Sequence, residues 1–318
     1  MFTRSLISCL TVAALAAVPA AASASDPVLG SAVGPQHLTA LDGTVVKVEG
    51  SGTSAQLIQR APDGSVAPVA GAPHGDYRAI DLGHDATGAL MITYIRCDGA
   101  GHCRAFSDDL HGRRVTFKHL TPKRCELTTA PARWGSRVAY GLSCSKLHGP
   151  PHVYDAGRSG LFVRSGAGAP KKLRAPKRGY AYANWADLRG TTVGAIAAGN
   201  QSIAYSQRVD GSRLRRMQIT DNQGETDDYS IDGMELGGGG ALWTLVTDSE
   251  EEGDMVTQEL SSLGASACDM QVIPIVTDPN THQPDLAGDA LAVDGDTVYL
   301  TRGAAILTHA FQRTGGCF

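Results

Sequence analysis

DLRGTTVGAIAAGNQSIAYSQRVDGSRLRRMQI, residues 187–219, decides the fold. A strand ends near Leu188, and Arg189-Gly190 leads into a second, Thr191 to Ala198, made of small, apolar and β-branched residues. A polar turn then gives way to a third strand, Ser202 to Val209. After Asp210-Gly211 a fourth runs from Arg213 to Ile219. The turns carry Gly, Asn and Asp, which tolerate the positive φ that tight hairpins require. The segment predicts four short antiparallel strands joined by hairpins, with no helical 3.6-residue period of useful length.

The same phrase recurs along the chain. Leu41-Asp42-Gly43 precedes TVVKVEG, Ala86-Thr87-Gly88 precedes ALMITYIRC, and Arg133-Trp134-Gly135-Ser136 precedes RVAYGLSC. Weaker copies are the glycine run 237–240 before ALWTLVTD and Asp294-Gly295-Asp296 before TVYLTRG. Taking Val45, Met91, Val138, Val193, Leu242 and Val298 as equivalent, successive copies lie 46, 47, 55, 49 and 56 residues apart. Four-stranded antiparallel units repeating every ~40–50 residues predict an all-β chain, a six-bladed β-propeller of four-stranded blades. A seven-bladed ring is the alternative, but gaps of 55 and 56 residues are too short to hide a further blade. The last copy stops after its third strand, Ala305 to Phe311, so its outermost place is open to the N-terminal segment around Val28 to Val33. Closure of that kind hides a sheet edge.

Residues 1–24 read as a secretory signal. Arg4 is the positive n-region, Leu6 to Val18 a short apolar run, and Ala22-Ser23-Ala24 a small-x-small cleavage site. The run falls short of the ~20 residues that span a bilayer, and Cys9 lies at its start, where a lipidated cysteine would not. Cleavage after Ala24 leaves one propeller domain, 25–318, secreted and with no transmembrane segment. Only Arg4 leaves with the signal, so the net charge moves from −4 to −5, which argues against nucleic-acid binding. A monomer is expected.

Phrases such as DLRGTTVGAIA, RWGSRVAYGL and DGDTVYLTRG resemble the strand openings of TolB-type and related secreted bacterial propellers over most of the mature chain. The likeness implies fold more than activity. Thr220-x-Asn222-x-Gly224-x-Thr226 echoes the Asp-box of sialidase-like propellers, but Asp227 stands where the aromatic residue belongs, and an ordinary hairpin explains it.

Six cysteines remain in the mature chain, an even number that in an exported protein implies disulfides, with fifteen possible connectivities. If Arg133 to Ser136 is the turn, Ala132 faces Arg137; positions that pair across it sum to 269, and so do 125 and 144. Cys125 and Cys144 are therefore opposite each other. Cys97 and Cys103 flank the turn Asp98 to His102, which brings them into bridging range. Cys268 and Cys317 pair by elimination. No pair of CxxC elements suggests zinc.

Candidate ligand-binding residues collect on the loops that lead into the innermost strands and join second to third strands. The aromatic segment Tyr180, Tyr182 and Trp185 offers faces that stack on sugars or peptide side chains. Strand spacing also lets Tyr180 and Tyr182 pack between blades. The longest loop holds His148 and His152, and His282 lies on another loop of that face. Pro150 and Pro151 forbid the helix that would make the first two a metal pair, so no metal or cofactor is expected. Asp248, Glu250, Glu251, Glu252 and Asp254 lack the spacing of a defined calcium loop and read as a solvated hairpin tip.

No G-x-S-x-G, H-E-x-x-H or P-loop is present. The expectation is a non-catalytic binding module for an extracellular protein, peptide or cell-wall glycan. A carbohydrate-active hydrolase or lyase on the same scaffold is the alternative.

Overall fold

The computed structural model describes residues 24–25, 29, 33–34, 36–117, 120–146, 154–177, 182–198, 202–217, 228–249, 256–263, 268–273, 290–302 and 305–310. The chain is all-β, organised as successive antiparallel meanders. β1 (Ala24–Ser25) precedes the first meander, β2 (Leu38–Leu41), β3 (Thr44–Glu49), β4 (Gln56–Arg60) and β5 (Val66–Pro68). The second is β6 (Asp76–His84), β7 (Leu90–Cys97), β8 (Cys103–Asp108) and β9 (Arg114–Thr116). The third has β10 (Cys125–Leu127) and β11 (Ala132–Trp134) both pairing with β12 (Arg137–Cys144), then β13 (Gly160–Ser165) and β14 (Lys171–Lys172). One parallel pair, Trp134 with His84, joins β11 to β6 and fuses the second and third meanders into a nine-stranded sheet.

The fourth meander is β15 (Tyr182–Arg189), β16 (Thr192–Ala198), β17 (Ser202–Arg208) and β18 (Arg215–Met217), close to the bounds its sequence predicts. The fifth is β19 (Asp228–Leu236), β20 (Leu242–Ser249), β21 (Val256–Leu263) and β22 (Cys268–Ile273). The sixth is β23 (Leu291–Asp294), β24 (Thr297–Arg302) and β25 (Ala305–Ala310), with β1 on its outer edge.

The first strands of the meanders touch in a circuit: β2 meets β6, β6 meets β11, β11 meets β15, β15 meets β19, β19 meets β23, and β23 returns to β2. Apolar clusters fill the spaces between neighbours. Leu57, Val69, Tyr77 and Tyr94 lie between the first and second meanders. Ala132, Leu161, Leu188 and Tyr205 join the third to the fourth, and Trp243, Leu245, Val293 and Leu300 join the fifth to the sixth. Leu38, Ala40, Ala292 and Tyr299, with Leu29 and Val33, seal the sixth against the first. Inner strands such as β3, β7 and β12 are buried in runs on both faces, since alternate side chains face opposite neighbours. Lys171 and Lys172 are exposed on β14, the outermost strand of the third meander, where charge discourages edge pairing.

Two details differ from expectation. The strand on the outer edge of the sixth meander is Ala24–Ser25, paired with Thr308 and Leu307, rather than a segment within Val28–Val33. The chain there is instead drawn inward by Leu29 and Val33, both in the apolar seal. In the third meander the hairpin turns at Gly135-Ser136, so Trp134 faces Arg137 and paired positions sum to 271. Four residues, 128–131, then lie opposite two on β12, which moves the register to 269 beyond Leu127. The irregularity is held by Thr129, whose hydroxyl accepts the Gly141 N–H at 2.9 Å, and by the Thr128 N–H on the Gly141 carbonyl. Cys125 therefore does face Cys144, although the register near the turn is not the one inferred.

Candidate functional site

Cys97–Cys103 and Cys125–Cys144 are disulfide-bonded, each across a strand pair. Cys317 lies outside the described residues, and with it the Cys268–Cys317 pairing.

Between the second and third meanders, next to both disulfides, is a cleft of about 430 Å³. Its polar lining includes Gln36, Arg78, Arg104 and Glu126, and its apolar lining includes Ile95 and Phe117. Arg78, Arg104 and Glu126 are exposed, so their charged ends face solvent. Arg78 is paired with Asp76 at 2.7 Å. The cleft adjoins the aromatic segment singled out in the sequence. Gln36 Nε2 donates to the Asn184 carbonyl at 3.1 Å, and the Thr128 hydroxyl donates to the Ala183 carbonyl.

Tyr182 is the first residue of β15, and Trp185 follows a register shift between Ala183 and Trp185. Trp185 is half-buried and packs against Ile196, Met234 and Leu242 between the fourth and fifth meanders. Tyr180, His148, His152, His282 and the Thr220–Thr226 segment lie outside the described residues.

A second cluster was not foreseen. Where the first strands converge, Asp81 on β6, Asp187 and Arg189 on β15, and Glu235 on β19 are all buried. Arg189 acts as a hub. Its guanidinium donates to the carbonyls of Ala40 at 3.4 Å and Leu236 at 3.2 Å, and also to that of Leu82. It pairs with Glu235 at 3.0 Å and Asp187 at 3.7 Å, and lies 5.8 Å from the Trp134 ring centre. One side chain thus engages four other meanders.

The acidic groups also link neighbours through backbone N–H groups. Asp187 Oδ2 accepts from Leu236 at 2.6 Å, and the Arg133 N–H faces the Asp81 carboxyl. Thr39 Oγ1 accepts from Leu82 at 3.1 Å, and Asp294 accepts from Asp42 and Gly43. Burial, added to by the charge of Asp187, pushes the Asp81 and Glu235 carboxyls well above the ordinary carboxylate value. Burial also raises Asp187, against the pull of Arg189. One carboxylate oxygen from each acid lies within 4.8 Å of the others, the separation a shared cation allows.

Each acid reads locally as an acidic residue two or three positions before a glycine, in AIDLG, ADLRG and MELGG. The available signal was that an acidic residue recurs at the inner-strand end of three copies, which a circuit of strands brings together.

No known protein family and no curated protein sequence matches the chain. Among solved structures, a puromycin hydrolase superposes with a TM-score of 0.50 and 14% identity over 92% of this chain. The chain spans about half of that enzyme, 54%. A protein of unknown function from Dyadobacter fermentans DSM 18053 gives a TM-score of 0.50 and 13% identity, covering 93% of this chain and all of the other. SapL1 lectin, solved with alpha methyl fucoside, covers 90% of this chain and 96% of its own at 13% identity and a TM-score of 0.48. Likeness at such identity speaks to fold, and with the circuit of meanders it makes this an all-β chain of propeller-like architecture.

Proposed function

We propose that this is an exported, non-catalytic six-bladed propeller that binds a polar ligand of saccharide size, a glycan first, in the cleft beside β15. The observation that carries the reading is the cleft itself. Hydroxyl-rich ligands need fixed donors and acceptors together with an apolar wall, and Arg104, Gln36 and Glu126 stand against Phe117 and Ile95 in a volume suited to a small ligand. Arg78 has its charge answered by Asp76, which leaves Arg104 available for an acidic substituent. Trp185 packs between the fourth and fifth meanders, and Tyr180, Tyr182, His148, His152 and His282 are further candidate contacts on sequence grounds alone. The six-blade count of a single domain, 25–318, is supported by the six meanders and their circuit, with Ser25 paired to Leu307 on the outer edge of the sixth. The residue-1–24 signal and the disulfides favour a secreted, TolB-like protein acting outside the cell.

The described carboxylates do not favour hydrolysis. Glycosidases keep their two carboxyls ~5–9.5 Å apart with substrate between them. The three that converge here are buried, which leaves no place for a sugar ring between them.

The test is a glycan array with the mature, oxidised chain, followed by calorimetry on any hit, for wild type, Arg104→Ala and Glu126→Ala. Binding weakened at least tenfold in both folded variants supports the site. Wild-type binding unchanged by either substitution, or none on neutral and acidic glycans, refutes it.

A further inference from the structure

We propose that the axis of the circuit is a binding site for one calcium-sized divalent cation, held by Asp81, Asp187 and Glu235. The proposal is independent of the ligand cleft. Three carboxylates and one guanidinium, all buried, sum to −2 when ionised. A buried net charge of that size is costly unless compensated, and one divalent cation brings the axis to neutrality.

Geometry fits the same ion. Oxygens sharing a calcium at ~2.3–2.6 Å can be no farther apart than about twice that bond. Those of Asp81, Asp187 and Glu235 lie within 4.8 Å of one another. All three ligands are hard oxygens, the type this ion takes.

The second observation is independent of the acidic cluster as such. Asp81 is 5% exposed, and its Oδ2 is buried with no hydrogen-bond partner among the described residues. The backbone N–H groups of Arg133 and Leu82 face the Asp81 carboxyl, but neither makes a hydrogen bond to that oxygen. Arg189 is committed to Ala40, Leu82, Leu236 and Glu235, and Thr39 donates to Glu235. A buried acceptor left without a donor is the position a cation satisfies.

The experiment uses the full mature chain, stripped with EGTA and exchanged into metal-free buffer at neutral pH. Calcium chloride is added in a calorimeter and in parallel thermal melts. The expected result is a stoichiometry of about one calcium per chain and a melting temperature raised by about 5 °C or more. Magnesium, which demands shorter bonds and tighter octahedral geometry, gives a smaller shift. Asp81→Asn, which keeps the shape and removes one charge, loses most of the calcium response. Glu235→Gln serves if Asp81→Asn does not fold, and the wild-type titration stands without either. Two protons would neutralise the same charge. In that case calcium produces no heat and no shift, and the proposal is overturned. An equal calcium response in folded Asp81→Asn overturns it too.

Discussion

Replacing Arg189 by Met keeps most of the side-chain volume and removes the charge and every donor. The loss is large because the guanidinium is 94% buried at its side chain and its partners are equally enclosed. Glu235 and Asp187 lose their counter-charge, and the carbonyls of Ala40, Leu82 and Leu236 lose a donor. Breaking a buried pair from one side costs about 3–5 kcal/mol. Orphaned carbonyls each add roughly 1 kcal/mol or more, while protonation of the abandoned carboxyls returns part of it. A net loss of about 4 kcal/mol is expected. Unfolding entropy of ~2.1 cal/mol/K per residue makes that roughly 6 °C for a chain of this length. The assay is a thermal melt with a urea titration, in EGTA so that no divalent cation alters the balance. Arg189→Lys, which keeps the charge but not the fan of donors, recovers part of the loss. A melting temperature within about 2 °C of wild type for Arg189→Met would refute the view of Arg189 as the hub.

Three further outcomes follow from the fold. Removing Cys125–Cys144, which closes a span of 19 residues, costs about 3 kcal/mol; removing Cys97–Cys103, spanning 6, costs roughly 2, as paired Cys→Ala variants in urea will show. Gly83→Ala places a Cβ 1.9 Å from the Arg133 carbonyl at the parallel joint of β6 and β11, and a loss of about 3 kcal/mol or more is expected in the same assay. Burial lowers the pKa of the half-buried His37 ring, so the folded state prefers the neutral form. Its contribution is complete above the ordinary value of 6.5 and is lost as pH falls below it toward the folded value. His37→Gln therefore flattens the stability profile just below pH 6.5, and an unchanged slope counts against the assignment.

The repeats were legible because the turns are chemically marked. Asp42-Gly43, Gly135-Ser136 and Gly295-Asp296 sit at hairpin turns, and Asp42, Gly43, Gly135 and Gly295 have positive φ. Those turns and the apolar, β-branched runs between them place the strands of the fourth meander to within a residue or two, apart from its short outer strand. Register was less legible. The extra residues at 128–131 are an irregularity with ordinary composition, stabilised by the Thr128 and Thr129 hydroxyls only once the strands meet. The axial cluster was invisible for a different reason. Asp81 and Glu235 are 154 positions apart, and a lone acid in an apolar strand says nothing locally about what it faces. Gln36, Arg78, Arg104 and Glu126 likewise come from four separate segments, and each reads as a surface residue by itself.

The hydrogen bonds from Asp42 and Gly43 to Asp294 join residues 252 and 251 positions apart. They lie where the beginning of the chain meets its end. All other joints of the circuit connect meanders adjacent in sequence and can assemble progressively as the chain emerges. This one must wait for the last strands, and its loop-closure cost comes after the rest of the ring is built. Neither described disulfide crosses it. The seam is therefore the late step in folding and the place where opening starts. Amide exchange should find β2 and β23 less protected than β7 and β12, and Asp294→Ala should raise the unfolding rate more than it slows refolding.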